Sequence, residues 1–235
     1  MVGWRGTSIG YAAVQLCILL PICLTQLPRQ SPLRPAPKEA GDGPARATFR
    51  DPRFWLFAAA GTVLSFVATV WSVLFLSILQ TRGVSASQAV ALGVLIGPAQ
   101  VAARVVEMAL GGRHHPIWTM LTASCLVGLG FLGLMLHLPA AAALIAYGAG
   151  NGIWSIARGA MPLAMFGAKD YAGIMGKLAM PNLLVAAAAP FIGSIVLESR
   201  GGEVTLALLA AVSLVPICCA VALLMLVRRP EVAPE

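Results

Sequence analysis

Seven stretches of this chain, roughly 6–27, 54–80, 89–110, 117–137, 140–166, 174–197 and 204–227, are long, apolar and almost free of charge. A helix of about 20 residues, rising about 1.5 Å per residue, matches the hydrocarbon thickness of a bilayer. Inside lipid every backbone N–H and C=O must be satisfied within the segment or in a closed barrel. Barrel strands alternate apolar and polar residues over about 10 positions, and these runs do not. The expected fold is therefore an all-α integral membrane protein with about seven transmembrane helices, and its first partner is the lipid bilayer. Composition agrees: 59% of residues are hydrophobic and 11% charged, against about 45–50% and about 25% in soluble domains.

The net charge of +7 reads as topology, not as affinity for nucleic acid. Positive charge in short loops marks the cytoplasmic side. The linker "LPRQSPLRPAPKEAGDGPARATFRDPR" carries Arg29, Arg34, Lys38, Arg46, Arg50 and Arg53, and Arg113, Lys169, Lys177, Arg228 and Arg229 fall on the same side. The other side holds Arg5, Arg82 and Arg200. The linker and C-terminus are thus expected in the cytoplasm of a cell (inner) membrane, with Met1 outside. The linker is Pro-rich and without apolar periodicity, so it has no core of its own. It divides the chain into a lone helix (1–28), the linker (29–53), a six-helix bundle (54–227) and a tail (228–235).

The five cysteines all lie in apolar spans and form no Cys-x-x-Cys pair, so neither disulfide nor metal site is expected; buried cysteine behaves as a small hydrophobe. His114 and His115 read as solvated loop residues and His137 as interfacial. Ser, His and acidic residues do not gather at one depth, and no Gly-rich phosphate loop follows a strand. The chain is not expected to be an enzyme or to hold a cofactor.

The polar residues inside the spans carry the functional signal. In "AYGAGNGIWSIARGAMPLAMFG", Tyr147, Asn151, Trp154, Arg158 and Pro162 follow at spacings of three and four, hence on one helix face. An arginine at the centre of a span costs about 2.5–3.5 kcal/mol on insertion scales and is tolerated facing a bundle interior or watery cavity. Arg158 lies about eight residues from the cytoplasmic end, roughly 12 Å, so partial snorkelling is the structural alternative. Thr62, Ser65, Thr69 and Ser72 share a face of span 54–80, with Trp71 near it. Gly93, Gly97, Gln100, Arg104, Glu107 and Gly111 form a stripe on span 89–110, which Gly97–Pro98 should bend. Arg104 and Glu107, at i and i+3, are spaced to pair, either as a structural pair or as a gate. Gly148/Gly152 and Ser124/Gly128 read as close-packing pairs, and Pro181 and Pro190 as interruptions of span 174–197.

These residues resemble the C-terminal half of a major facilitator superfamily transporter. "GWRGTSIGYAAVQ" resembles the entry into helix six, "GPAQVAARVVE" a helix-eight pattern, and "ARGAMPLAMFGAKDYAGIMGKLAMPNLLVAAAAPFIGSIVLE" helices ten and eleven. The resemblance covers nearly the whole chain. It implies two six-helix halves around a central cavity and secondary active transport of a small polar or anionic solute by alternating access, with protons as the suggested coupling ion. Arg158, Asn151, Trp154, Tyr147, Thr62, Ser65, Thr69 and Ser72 would line the cavity. Gln100, Arg104 and Glu107 would serve gating or ion coupling. The chain departs from the family where "LGGRHHP" replaces the basic gating motif after helix eight, and helices one to five are absent. It is therefore expected to be a piece of a twelve-helix carrier, partnered by the missing N-terminal half or a second half-bundle. The alternative is a non-transporting subunit or remnant that pairs with another half.

Overall fold

The computed structural model describes residues 3–26, 50–110, 113–168 and 171–228. The expectations for the linker up to residue 49, for Gly111, for Lys169 and for the tail from residue 229 lie outside them. Among the described residues, six helical runs are long and apolar enough to cross a membrane. The chain divides into two units, Met1–Gly41 and Asp42–Glu235.

The first unit is a single helical rod. Helix α1 (Trp4–Val14) passes through a π-helical turn, Gln15–Leu19, into α2 (Leu20–Gln26). Pro21 explains the wide turn. It has no N–H for the carbonyl of Cys17 and its ring would strike that carbonyl, so one turn opens to i→i+5 bonding. The 22-residue run Arg5–Gln26 is long enough to span a bilayer.

The second unit begins with α3 (Pro52–Thr81), started by Asp51, whose side chain accepts from Arg53 N at 2.8 Å, with Pro52 in the first turn. A turn through Gly83, at φ 82°, leads to α4 (Ala86–Val94), which Ser85 and Gln88 open with a reciprocal capping box. Next come α5 (Ile96–Leu110), α6 (Pro116–Met135), α7 (Ala140–Phe166), α8 (Tyr171–Val212) and α9 (Leu214–Arg228). Two breaks have one cause. α4 ends at Val94, four residues before Pro98, and α8 ends at Val212, four residues before Pro216. In each case the carbonyl at the break has lost its i+4 donor to proline. The Gly97–Pro98 step, expected to bend this span, thus interrupts the helix at Leu95.

Pro181 and Pro190 behave otherwise. Both lie inside α8 without interrupting it, contrary to the expectation from sequence. The one non-helical residue of α8 is Gly201, at φ 80° and ψ 175°. Such a φ is open to glycine and strained for other residues, so two helices meet there at a kink. Arg82 ties this region together: its Nε donates to Glu203 at 2.8 Å and its Nη1 to the Leu134 carbonyl at 2.7 Å.

Helix directions follow from which residues meet. Thr62 meets Asn182, Val70 and Leu74 face Gly193, and Thr81 faces Gly202, so α3 and α8 run parallel. Gly148 packs on Ile96 and Gly152 on Gln100, so α5 and α7 also run parallel. Gly130 faces Tyr147 while Gly150 faces Ala123, so α6 and α7 are antiparallel. Lipid supplies no hydrophobic force between helices, and small residues that let backbones approach take its place. Gly148 and Gly152 do this against α5, as expected, and Gly128 does it against Ile217 of α9.

The core is aromatic at its centre. Trp71 of α3, Phe131 of α6 and Tyr147 of α7 contact one another edge-on, with ring centroids 5.2–5.9 Å apart. Outward, large apolar side chains such as Val94, Met180, Leu183 and Phe191 are more than half exposed. Apolar surface on that scale belongs in lipid, not water.

Candidate functional site

Two adjoining cavities lie among α3, α5, α7 and α8. The first, of about 410 Å³, is lined from α3 by Phe57 to Thr69, from α7 by Asn151, Trp154 and Arg158, and from α8 by Met175, Leu178, Asn182 and Leu183 among others. The second, of about 340 Å³, is lined by Trp71, Ser72, Gln100, Tyr147 and Asn151 among others. Ala68 and Asn151 belong to both walls.

The residues singled out from sequence are thus gathered here, but divided. Ser65, Thr69, Asn151, Trp154 and Arg158 line the first cavity, while Ser72, Tyr147, Gln100 and again Asn151 line the second. Thr62 sits behind the first wall, where its hydroxyl donates to Asn182 Oδ1 at 2.9 Å. Ser65 Oγ lies 3.4 Å from the Asn182 carbonyl oxygen, and Thr69 donates to the Ser65 carbonyl at 2.8 Å. Trp154 is packed beside Phe57, with ring centroids 5.7 Å apart. Tyr147 is 4% exposed, its ring held in the aromatic core.

What these side chains leave unsatisfied matters most. Among the described residues, the side chains of Arg158, Asn151, Gln100 and Tyr147 make no hydrogen bond or ion pair. Trp71 Nε1 is buried and also without a partner. Elsewhere in the bundle, Ser124, Ser155 and Thr205 return their hydroxyl protons to carbonyls of their own helices. Trp71 and Tyr147 are buried, Asn151 and Gln100 half-buried and Arg158 exposed, and a buried polar group without a partner costs free energy. Unpartnered donors converging on a roomy cavity therefore call for water or a polar solute there.

Asn182 is the residue that sequence reasoning missed. A lone asparagine in an apolar span was a usable signal, because intramembrane polar residues turn inward toward partners or water. It directly follows Pro181. Its Oδ1 accepts from Thr62, while its amide nitrogen has no protein partner among the described residues. A Thr62→Val, Asn182→Leu double-mutant cycle should give a coupling of about 0.6–1.7 kcal/mol in thermal unfolding of the detergent-solubilised protein, as for interhelical bonds generally. Strict additivity would show that this bond does not form.

The second group of expected residues is not arranged as a pair. Arg104 and Glu107 do not contact each other. Arg104 Nε donates to the Gly152 carbonyl at 3.3 Å, reaching across the close α5–α7 contact. Glu107 accepts from Thr119 Oγ1 at 2.6 Å and lies 3.1 Å from His114 Nε2. His114 is therefore not a solvated loop residue: it bridges Glu107 and Thr119. His115 caps α6, its Nδ1 accepting from Ile117 N at 3.2 Å. His137 is exposed, at positive φ, with Nε2 4.0 Å from Glu203. Among the described residues no three His, Cys, Asp or Glu side chains come together as a metal site.

Compared with protein-family models, with curated proteins and with solved structures, the chain matches none.

Proposed function

We propose that this chain is one half-bundle of a secondary transporter of the major facilitator type, which moves a small polar or anionic solute across a membrane by alternating access. The observation that carries this reading is the set of unpartnered polar side chains, headed by Arg158, converging on two adjoining cavities inside membrane-spanning helices. Snorkelling of the exposed Arg158 is the structural alternative, and the convergence of Asn151, Gln100 and Tyr147 on the same cavities favours transport. A transport site has to leave its donors free for cargo.

The helix directions support the same reading. Parallel α3 and α8, and parallel α5 and α7, follow if α3, α4–α5, α6, α7 and α8 each cross the membrane once. The 57-residue run Tyr171–Val227 would be about 85 Å long if straight, nearly three bilayer cores. The kink at Gly201 turns it into two crossings, which gives seven with the N-terminal rod. On this topology the linker and C-terminus face the cytoplasm, and Glu107 with His114 lies at the cytoplasmic end of α5. Glu107 is the candidate for proton coupling and Arg104, bonded to α7, for a contact that changes as helices rock. A second half-bundle, on another chain or another copy of this one, would close the cavity.

Cysteine accessibility tests this reading. In a background with the five native cysteines replaced, Ser65→Cys and Asn151→Cys should react with a membrane-impermeant thiol reagent added to either face of sealed vesicles. Controls at Met180 and Phe191, exposed and outside both cavity walls, report lipid exposure. Reaction from one face only, or from neither, would overturn alternating access.

A further inference from the structure

The charge inventory of the cavities goes further than "polar or anionic". Among the residues lining the two cavities, Arg158 is the one with a permanent charge; no Asp, Glu, Lys or His joins it. Its guanidinium has no protein counter-charge among the described residues. An arginine does not lose its proton at any physiological pH, so the charge must be met by water or by a ligand anion. The side chain is exposed on the cavity wall, so its charge is open to an incoming anion. A dianion would bring a second charge for which neither cavity has a partner.

The rest of the first cavity fits an organic body. Around Arg158 stand Phe57, Leu64, Trp154, Met175 and Leu178, with the Asn151 and Asn182 amides the main neutral polar groups. Trp154 is one helical turn before Arg158 and packed against Phe57, so an aromatic or aliphatic body beside the anionic group would lie next to this pair of rings. A volume of about 410 Å³ falls in the range of small-molecule sites, about 300–1,000 Å³. The planar fork of arginine matches a carboxylate in two parallel hydrogen bonds.

We infer that the site takes an organic monoanion, a monocarboxylate with an apolar body, its carboxylate on Arg158 and its body beside Phe57 and Trp154. This rests on the transport reading of the same cavities and narrows its substrate class. Asn151, in both walls, would offer its amide to a polar substituent directed toward the second cavity.

The test uses radiolabelled benzoate as probe and the full chain in nanodiscs at pH 8. Benzoate should bind saturably, and Arg158→Ala should weaken binding at least tenfold. Arg158→Lys, which keeps the charge and loses the fork, should fall between. Both variants must elute as the wild type does in gel filtration, so that a folding defect is not read as lost binding. Succinate, inorganic phosphate, chloride and benzamide should compete at least tenfold more weakly than unlabelled benzoate. Undiminished binding to Arg158→Ala overturns the placement on Arg158. Equal competition by succinate or phosphate overturns the single charge, by chloride the organic body, and by benzamide the need for charge. Absence of any benzoate binding overturns the inference as a whole. The transport reading fails separately, when Ser65→Cys and Asn151→Cys are not labelled from both faces.

Discussion

Arg158→Leu is expected to slow solute movement by one to two powers of ten while making the protein no less stable, and more stable if anything. The two effects have opposite signs because they come from different terms. Inside a span the guanidinium is a burden: an arginine at the centre costs about 2.5–3.5 kcal/mol on insertion scales, and Arg158, exposed and about 12 Å from the cytoplasmic end, carries part of that cost without a protein partner among the described residues. Leucine removes that burden from a helix whose neighbours at this depth, Ala157 and Met161, are buried and apolar. A charge-assisted hydrogen bond to a ligand is worth about 1.5–3 kcal/mol, which is one to two powers of ten in affinity. Uptake into proteoliposomes carrying the complete transporter should therefore drop about tenfold to a hundredfold. The thermal midpoint in detergent should stay or rise. A residue kept for packing would give the reverse, lost stability with retained transport, and that result would remove Arg158 from the site. Arg158→Lys separates charge from geometry: partial uptake is expected, since lysine restores the charge without the fork.

How much of this was legible beforehand depends on the range over which each feature is determined. The face bearing Asn151, Trp154 and Arg158 could be read directly, because one turn of helix fixes which residues share a side. So could the hydroxyl face of α3. The division into two cavities could not. Tyr147 and Arg158 share a stripe but lie about 16 Å apart along the axis, and what stands opposite each is set by α3, α5 and α8. Thr62 was visible as a polar residue, yet its bond to Asn182 depends on the register of two helices 120 positions apart in sequence.

The Arg104–Glu107 pair failed for the same reason. Its spacing permits a local contact, but the glycine-mediated approach of α7 offers Arg104 a carbonyl, and the short turn into α6 brings Thr119 and His114 to Glu107. Prolines were legible as breaks only where the helix yields. The ladder opens before Pro98 and Pro216, whereas α8 continues through Pro181 and Pro190.

Gly152 should give the largest loss of stability of any single glycine-to-alanine change in the α5–α7 contact. A Cβ built there would stand 2.5 Å from the Gln100 carbonyl oxygen and 2.8 Å from its Cα. Both are backbone atoms, which no rotamer change moves aside, so α5 and α7 must separate. Separation stretches the Arg104–Gly152 bond, already 3.3 Å long, and loosens Gly148 from Ile96 one turn away. Overpacking of this kind costs about 1–3 kcal/mol, and for a chain of this size each kcal/mol moves the midpoint by about 2–4 °C. Gly152→Ala should lower the detergent midpoint by several degrees, and Gly152→Val by more. Gly176 on α8 provides the control, because a Cβ there meets nothing within 4 Å. Gly176→Ala adds helix propensity, about 0.8–1.0 kcal/mol in water, and should leave the midpoint unchanged or raise it. The same chemical change thus has opposite signs at two positions. Equal effects at both would mean that α5 and α7 do not touch at Gly152, and the second cavity, whose wall joins Gln100 to Tyr147 across that contact, would lose its basis.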